Sequence, residues 1–132
     1  DSVIGAWCNL GAGTSNSNLK NTAGNIRIFL KAKNEMVTIG KKCGLIMGDY
    51  SRAAINTSFN TATVVGIAAN VFGTGLTPKY IPDFSWGAAG GQMADFDKLI
   101  RSINNWMDFK QKKLSDAEIQ NLQHIFEEII KK

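Results

Sequence analysis

From Met47 onward every sixth residue is apolar: Met47, Ala53, Phe59, Val65 and Val71. Four places after each stands a small residue: Ser51, Thr57, Thr63, Ala69 and Gly75. A period of six suits neither an α-helix, which needs apolar residues three and four apart, nor an ordinary half-buried strand, which needs them every second place. It suits a chain in which each six residues make a short strand and a turn. Three sixes then complete one triangular coil, and successive coils stack so that the apolar and the small side chains share a narrow interior. An antiparallel β-domain is the alternative for this stretch.

The same signature opens the chain, as Ile4-Gly5-Ala6-Trp7-Cys8-Asn9 and Leu10-Gly11-Ala12-Gly13-Thr14-Ser15. Glycine follows the apolar residue in Ile4-Gly5, Leu10-Gly11, Met47-Gly48 and Val65-Gly66. The chain thus opens inside a repeat, as a fragment of a longer protein would. Between the two blocks, residues 25–30 and 36–39 read as strands with a polar turn over 31–35, an insertion that leaves the coil and returns to it. After Leu76 the count of six stops at Pro78 and Pro82, so residues 81–87 are expected to cross the surface as an irregular segment. Three glycines within 87–91 read as a hinge.

Two helices are expected beyond it. Phe96, Leu99, Ile100, Ile103 and Met107 share one helical face, with Asp95 at its start. Ser115-Asp116-Ala117-Glu118 has the form of a capping box, opening a second helix with a stripe of Ile119, Leu122, Phe126 and Ile129. The expected fold is mainly β: a parallel β-helix over 1–87 carrying a β-hairpin, then a helical extension over 88–132.

Composition narrows the function classes. The net charge is +4, and the excess lies in 1–90, with eight Lys or Arg against four Asp or Glu; residues 91–132 hold seven of each. That bias suits an anionic ligand such as a phosphorylated sugar or coenzyme A, and equally an ordinary solvated surface. A basic stripe interleaved with aromatics is lacking, which argues against nucleic acid. No apolar run approaches the roughly 18 residues of a membrane span, and no signal-peptide pattern opens the chain, so a cytoplasmic protein is expected. Cys8 and Cys43 lack the spacing of a metal site or a disulfide scaffold and read as buried, reduced thiols. Thr57, Thr61 and Thr63 do not repeat in register over enough coils to form an ice-binding row.

Ile4-Gly5 through Leu10-Gly11-Ala12-Gly13-Thr14, followed by Asn16-Ser17-Asn18-Leu19-Lys20-Asn21, resembles the left-handed β-helix domain of the bacterial bifunctional N-acetylglucosamine-1-phosphate uridylyltransferase and glucosamine-1-phosphate acetyltransferase. Gly44-Leu45-Ile46-Met47-Gly48-Asp49-Tyr50-Ser51, Ile55-Asn56-Thr57, Phe59-Asn60-Thr61 through Val71-Phe72-Gly73, and Phe84-Ser85-Trp86-Gly87 resemble related bacterial and archaeal sugar-1-phosphate nucleotidyltransferases. The resemblance covers residues 1–87 and implies a left-handed coil, a cytoplasmic homotrimer, acetyl-coenzyme A as cofactor and an aminosugar phosphate as substrate. It implies that Asn9 holds the sugar, that Asn18 positions the reacting amine as part of the catalytic set, and that Asp49 lies near the acetyl-coenzyme A. The family's catalytic histidine would fall upstream of position 1, and its nucleotidyl-transfer motifs are not in this sequence. His124, on the last expected helix, does not match it. A module that only assembles subunits is the competing reading. Tyr50 stands where related sequences often have histidine, and its hydroxyl suits either a ligand or a corner of the coil.

Overall fold

In the computed structural model the described residues are 1–88 and 92–132. They fall into two compact units, Asp1–Met93 and Ala94–Lys132. The first is built almost wholly of two-residue strands: β1 (Val3–Ile4), β2 (Asn9–Leu10), β3 (Ser15–Asn16), β6 (Ile46–Met47), β7 (Arg52–Ala53), β8 (Ser58–Phe59), β9 (Val64–Val65), β10 (Asn70–Val71) and β11 (Tyr80–Ile81). A longer hairpin, β4 (Ile26–Leu30) and β5 (Glu35–Gly40), interrupts the series.

The short strands pair only in parallel, in sheets of order β1-β6-β9-β11, β10-β7-β2 and β3-β8. The chain visits the three sheets in turn. Ile46 pairs with Val64 and Arg52 with Asn70, in each case eighteen residues on, three times the period read from the sequence. Val3 pairs with Ile46 across the inserted hairpin, and Leu10 with Ala53, so the first coil lies in register with the second.

One residue of each strand points inward, and these residues form a single core. Met47, Ala53, Phe59, Val65 and Val71 are buried together with Leu45, Ala69 and Ile81. Phe59 fills the most space and is 1% exposed. Ser51, Thr57 and Thr63 are buried as well, and each hydroxyl has a partner. Thr57 Oγ1 donates to Ala54 O at 2.7 Å, Thr63 Oγ1 to Asn60 O at 2.8 Å, and Ser51 Oγ to Gly66 O at 2.6 Å. A buried hydroxyl without a partner would be costly, so the small position accepts Ser or Thr only where a corner carbonyl is in reach. Thr57, Thr61 and Thr63 are all buried, which leaves no threonine row facing solvent there.

The corners explain the six-residue grammar. Backbone bonds run from Thr14 N to Gly11 O, Thr57 N to Ala54 O, Thr63 N to Asn60 O and Ser85 N to Pro82 O. The third residue of each of these turns has positive φ: Gly13 (76°), Asn56 (59°), Ala62 (48°) and Phe84 (59°). A type II turn demands this, and a non-glycine residue there costs about 1–2 kcal/mol, which the stacked coils must offset. Trp7, Tyr50 and Ala68 also have positive φ. Tyr50 is therefore a corner residue, with its N–H donated to Ala6 O at 2.9 Å.

Glycine after the apolar residue is a close-approach requirement. A Cβ on Gly66 would lie 2.5 Å from Asp83 N and 2.8 Å from Asp83 Cα; one on Gly48 would lie 2.9 Å from Gly66 C.

The structure departs from expectation in three places. Residues 81–87 are not an irregular surface segment: Tyr80–Ile81 extends the first sheet, Ile81 and Phe84 are buried, and Asn70 bridges to Trp86 in parallel. Val65 and Ile81 are sixteen residues apart instead of eighteen, which broke the count of six while the coil continued. Pro82 is tolerated because it follows β11 on the outermost strand of its sheet, where its missing N–H leaves no ladder bond unmade. Gly75 is exposed, φ 74°, and Thr77 is the buried small residue, bonded to Thr63 through their hydroxyls at 3.0 Å. Ile4 and Leu10, inward by register, are exposed because they belong to the outermost coil.

The hairpin covers one sheet. Ile26 and Ile28 pack with Ala62, Ile46 and Val64, Phe29 stacks on Tyr80 with ring centroids 4.3 Å apart, and Lys31 Nζ meets Asp83 Oδ2 at 2.6 Å. The outward residues of that sheet, Ile46, Val64 and Tyr80, are apolar or aromatic for this reason.

In the second unit α1 (Phe96–Asp108) starts at Asp95, whose carboxylate accepts from Lys98 N, and buries Leu99, Ile103 and Met107. Helix α2 (Asp116–Ile130) starts with the complete capping box of Ser115 and Glu118 and buries Leu122. Phe96 meets Phe126 at 5.2 Å between the two helices. Most of the expected hinge, residues 89–91, lies outside the described residues.

Candidate functional site

The three residues singled out by resemblance stand on different parts of the coil. Asn9 is in β2, half-buried, with its N–H donated to Ser51 O at 3.2 Å. Asn18 follows β3; its Nδ2 donates to Asp1 Oδ2 at 2.8 Å, and its carbonyl accepts from Cys43 N at 3.0 Å. Asp49 is exposed at the corner between β6 and β7, and its Oδ1 accepts from Ala6 N at 2.8 Å. Among the described residues no hydrogen bond joins any two of the three. Neither Asn9 nor Asn18 has positive φ, so asparagine's tolerance of left-handed corners does not account for either.

Asp49 has a structural counterpart that the sequence pattern did not single out. Asp83 Oδ1 accepts from Ile67 N at 2.8 Å, as Asp49 Oδ1 accepts from Ala6 N. Each carboxylate ties a corner of one coil to the next. Asp83 is only 9% exposed and holds Lys31, whose ammonium it raises above its usual pKa by hydrogen bonding. Asp49 is exposed and makes no ion pair among the described residues.

Cys8 occupies the small position of the first coil, in register with Ser51, and donates from Sγ to Gly48 O at 3.2 Å. Both cysteines are free thiols but half-buried rather than fully enclosed. Burial, the largest effect, pushes the Cys8 thiol pKa up. Lys79 donates to Thr61 O and, at 2.9 Å, to Thr61 Oγ1; burial and then the nearby Lys20 charge lower its pKa. Among the described residues no group of three or more His, Cys, Asp or Glu could hold a metal ion.

A cleft of about 470 Å³ opens in the first unit beside Phe72, Leu76, Trp86 and Thr57. Its walls are apolar, hydroxyl or amide, and include none of Asn9, Asn18 and Asp49. With no titratable side chain on its walls it can enclose an apolar group but cannot take or give a proton.

The outer face of the β10-β7-β2 sheet is different. Leu10, Ala53 and Val71 point inward by register, which turns Asn9, Arg52 and Asn70 outward in one column across three coils. Arg52 Nε is buried without a hydrogen-bond partner among the described residues. Burial lowers the Arg52 pKa, and no counter-charge offsets that cost. The sequence signal was present in each pair, a polar residue directly before an inward apolar one: Asn9-Leu10, Arg52-Ala53 and Asn70-Val71. Reading the repeat for its inward positions passed over it.

No family model and no curated protein matches this chain. Among the described residues no helix is long and apolar enough to cross a membrane.

Proposed function

We propose that the first unit is a left-handed parallel β-helix of the hexapeptide-repeat acyltransferase type, belonging to a sugar-1-phosphate nucleotidyltransferase of sugar-nucleotide synthesis. In this reading the domain forms a cytoplasmic homotrimer and transfers an acetyl group from acetyl-coenzyme A to the amine of an aminosugar phosphate. One observation carries it: inward apolar residue, corner with positive φ and small tied residue recur in register over successive coils. Left-handedness comes from that hexapeptide grammar and is an exception to the usual rule for parallel crossovers.

The chemistry needs a group that removes the amine proton, donors for the thioester oxyanion and contacts that hold the sugar. Asn9 supplies a sugar contact on the outer face of the β10-β7-β2 sheet. Asn18 orients the amine, and its bond to Asp1 fixes the amide so that one face of it stays available. Asp49 marks the corner at which acetyl-coenzyme A would lie.

A second reading, a module that only assembles subunits, is favoured by the cleft beside Phe72 and Trp86, whose described walls carry no titratable side chain. His124 is exposed on α2, in the helical unit, and is not part of the coil. Light scattering together with coenzyme A titration separates the readings. A particle three times the 14.4 kDa chain that binds coenzyme A supports acetyl transfer. A trimer that ignores coenzyme A supports assembly alone. A monomer at every concentration overturns both.

A further inference from the structure

The three sheets differ in what lies outside them. The hairpin covers the β1-β6-β9-β11 sheet, and there the outward residues are Ile46, Val64 and Tyr80. The β10-β7-β2 sheet presents instead Asn9, Arg52 and Asn70 in parallel register, continued past Asn70 by Trp86. Strand spacing puts neighbouring backbones about 4.8 Å apart, so Arg52 stands between the two amides in the column.

Arg52 is the only one of the three arginines drawn out of solvent; Arg27 and Arg101 are exposed. Its Nε has lost water and found no acceptor, and among the described residues it makes no ion pair. A desolvated, unpaired guanidinium is destabilising by itself, and a donor left bare inside a structure calls for a partner from outside it. Among the described residues neither the Asn9 nor the Asn70 side chain makes a hydrogen bond. One unpartnered guanidinium nitrogen between two half-buried amides, with no acid among the three, selects a negatively charged acceptor.

We propose that Arg52, flanked by Asn9 and Asn70, binds a small-molecule oxyanion, a phosphate monoester or a carboxylate, on the outer face of the β10-β7-β2 sheet. The guanidinium fork takes two oxygens side by side, as its planar geometry favours. The amides donate to the remaining oxygens. The site shares Asn9 with the reading above but needs neither acetyl transfer nor coenzyme A, so either can fail without the other.

The test is a titration of the 15N-labelled chain with inorganic phosphate and, separately, acetate, at ionic strength held constant with chloride. The Arg52 Nε–Hε resonance should move saturably, with half-saturation near about 1 mM, while Arg27 and Arg101 stay still. The stronger of the two anions identifies the class. R52K should weaken binding at least about tenfold, because an ammonium cannot form the fork. R52M should abolish it and melt higher than wild type in anion-free buffer, since it removes an unpaired buried charge. N70A should weaken binding several-fold with little change in melting. Three results overturn the proposal: no saturable shift with either anion, a shift shared equally by all three arginines, or an R52M variant that melts lower than wild type. Loss of self-association in R52M without any anion response would also overturn it, because the acceptor would then be a carboxylate of a second copy.

Discussion

Replacing Gly66 with alanine tests whether the coils stack as tightly as the glycine positions require. The new Cβ would sit 2.5 Å from Asp83 N and 2.8 Å from Asp83 Cα, distances that only a backbone shift can relieve. Overpacking against backbone costs about 1–3 kcal/mol. The shift also moves Asp83, whose Oδ1 holds Ile67 N at 2.8 Å and whose Oδ2 holds Lys31; losing one such bond adds about 1 kcal/mol. A total of about 2–4 kcal/mol corresponds to roughly 6–16 °C in melting temperature for a chain of this size. Gly24→Ala is the control: its Cβ would meet only Thr22 Oγ1, at 3.3 Å, and the change should stay within about 0.5 kcal/mol. Thermal melts followed in the far ultraviolet read both. A Gly66→Ala variant melting within about 2 °C of wild type would refute the reasoning.

Three further outcomes follow from the geometry. Lys31 has its folded pKa raised, first by the hydrogen bond to Asp83, so its contribution is complete below the unfolded value near 10.5 and is lost as pH rises through the higher folded value; Lys31→Gln should lower stability slightly at neutral pH, by little because the lysine is largely exposed, and converge on wild type at the alkaline end, which flattens the curve there. Burial raises the Cys8 thiol, so at pH 8 iodoacetamide should alkylate Cys8 more slowly than free cysteine, measured by peptide mass spectrometry after quenching; equal rates would contradict the burial. Ser115→Ala removes the hydroxyl that accepts from Glu118 N and leaves the bond from the residue-115 N–H to the Glu118 carboxylate in place, and should cost about 0.5–2 kcal/mol in denaturant unfolding of the helical unit.

The inward residues of the coil were legible in the sequence because packing leaves them little choice. Met47, Ala53, Phe59, Val65 and Val71 all point to the core, and Ser115 and Asp95 open their helices as their residue types suggest. The continuation through Ile81 was not legible, because a coil two residues shorter changes the count without changing the stacking. The hairpin's resting place was hidden too. Its signal was the apolar doublets Ile46-Met47, Val64-Val65 and Tyr80-Ile81, where the outward as well as the inward residue avoids water.

Reading for the interior also obscured the candidate site. A coil fixes what points in and leaves what points out free to vary, so ligand chemistry belongs to the residues that a period of six ignores. Where another part of the chain covers a sheet, those outward residues become apolar, as Ile46 and Val64 show. On the β10-β7-β2 sheet they are polar at Asn9, Arg52 and Asn70, and most polar residues on a sheet face satisfy themselves in water. Arg52 does not: it is half-buried, its Nε is closed off, and among the described residues no acid pairs with it. Packing gains nothing from a guanidinium there, since a methionine of similar length would fill the same space without the desolvation cost. The charge at that position is therefore explained by something the sheet meets, and an oxyanion is what Asn9 and Asn70 on either side are equipped to share.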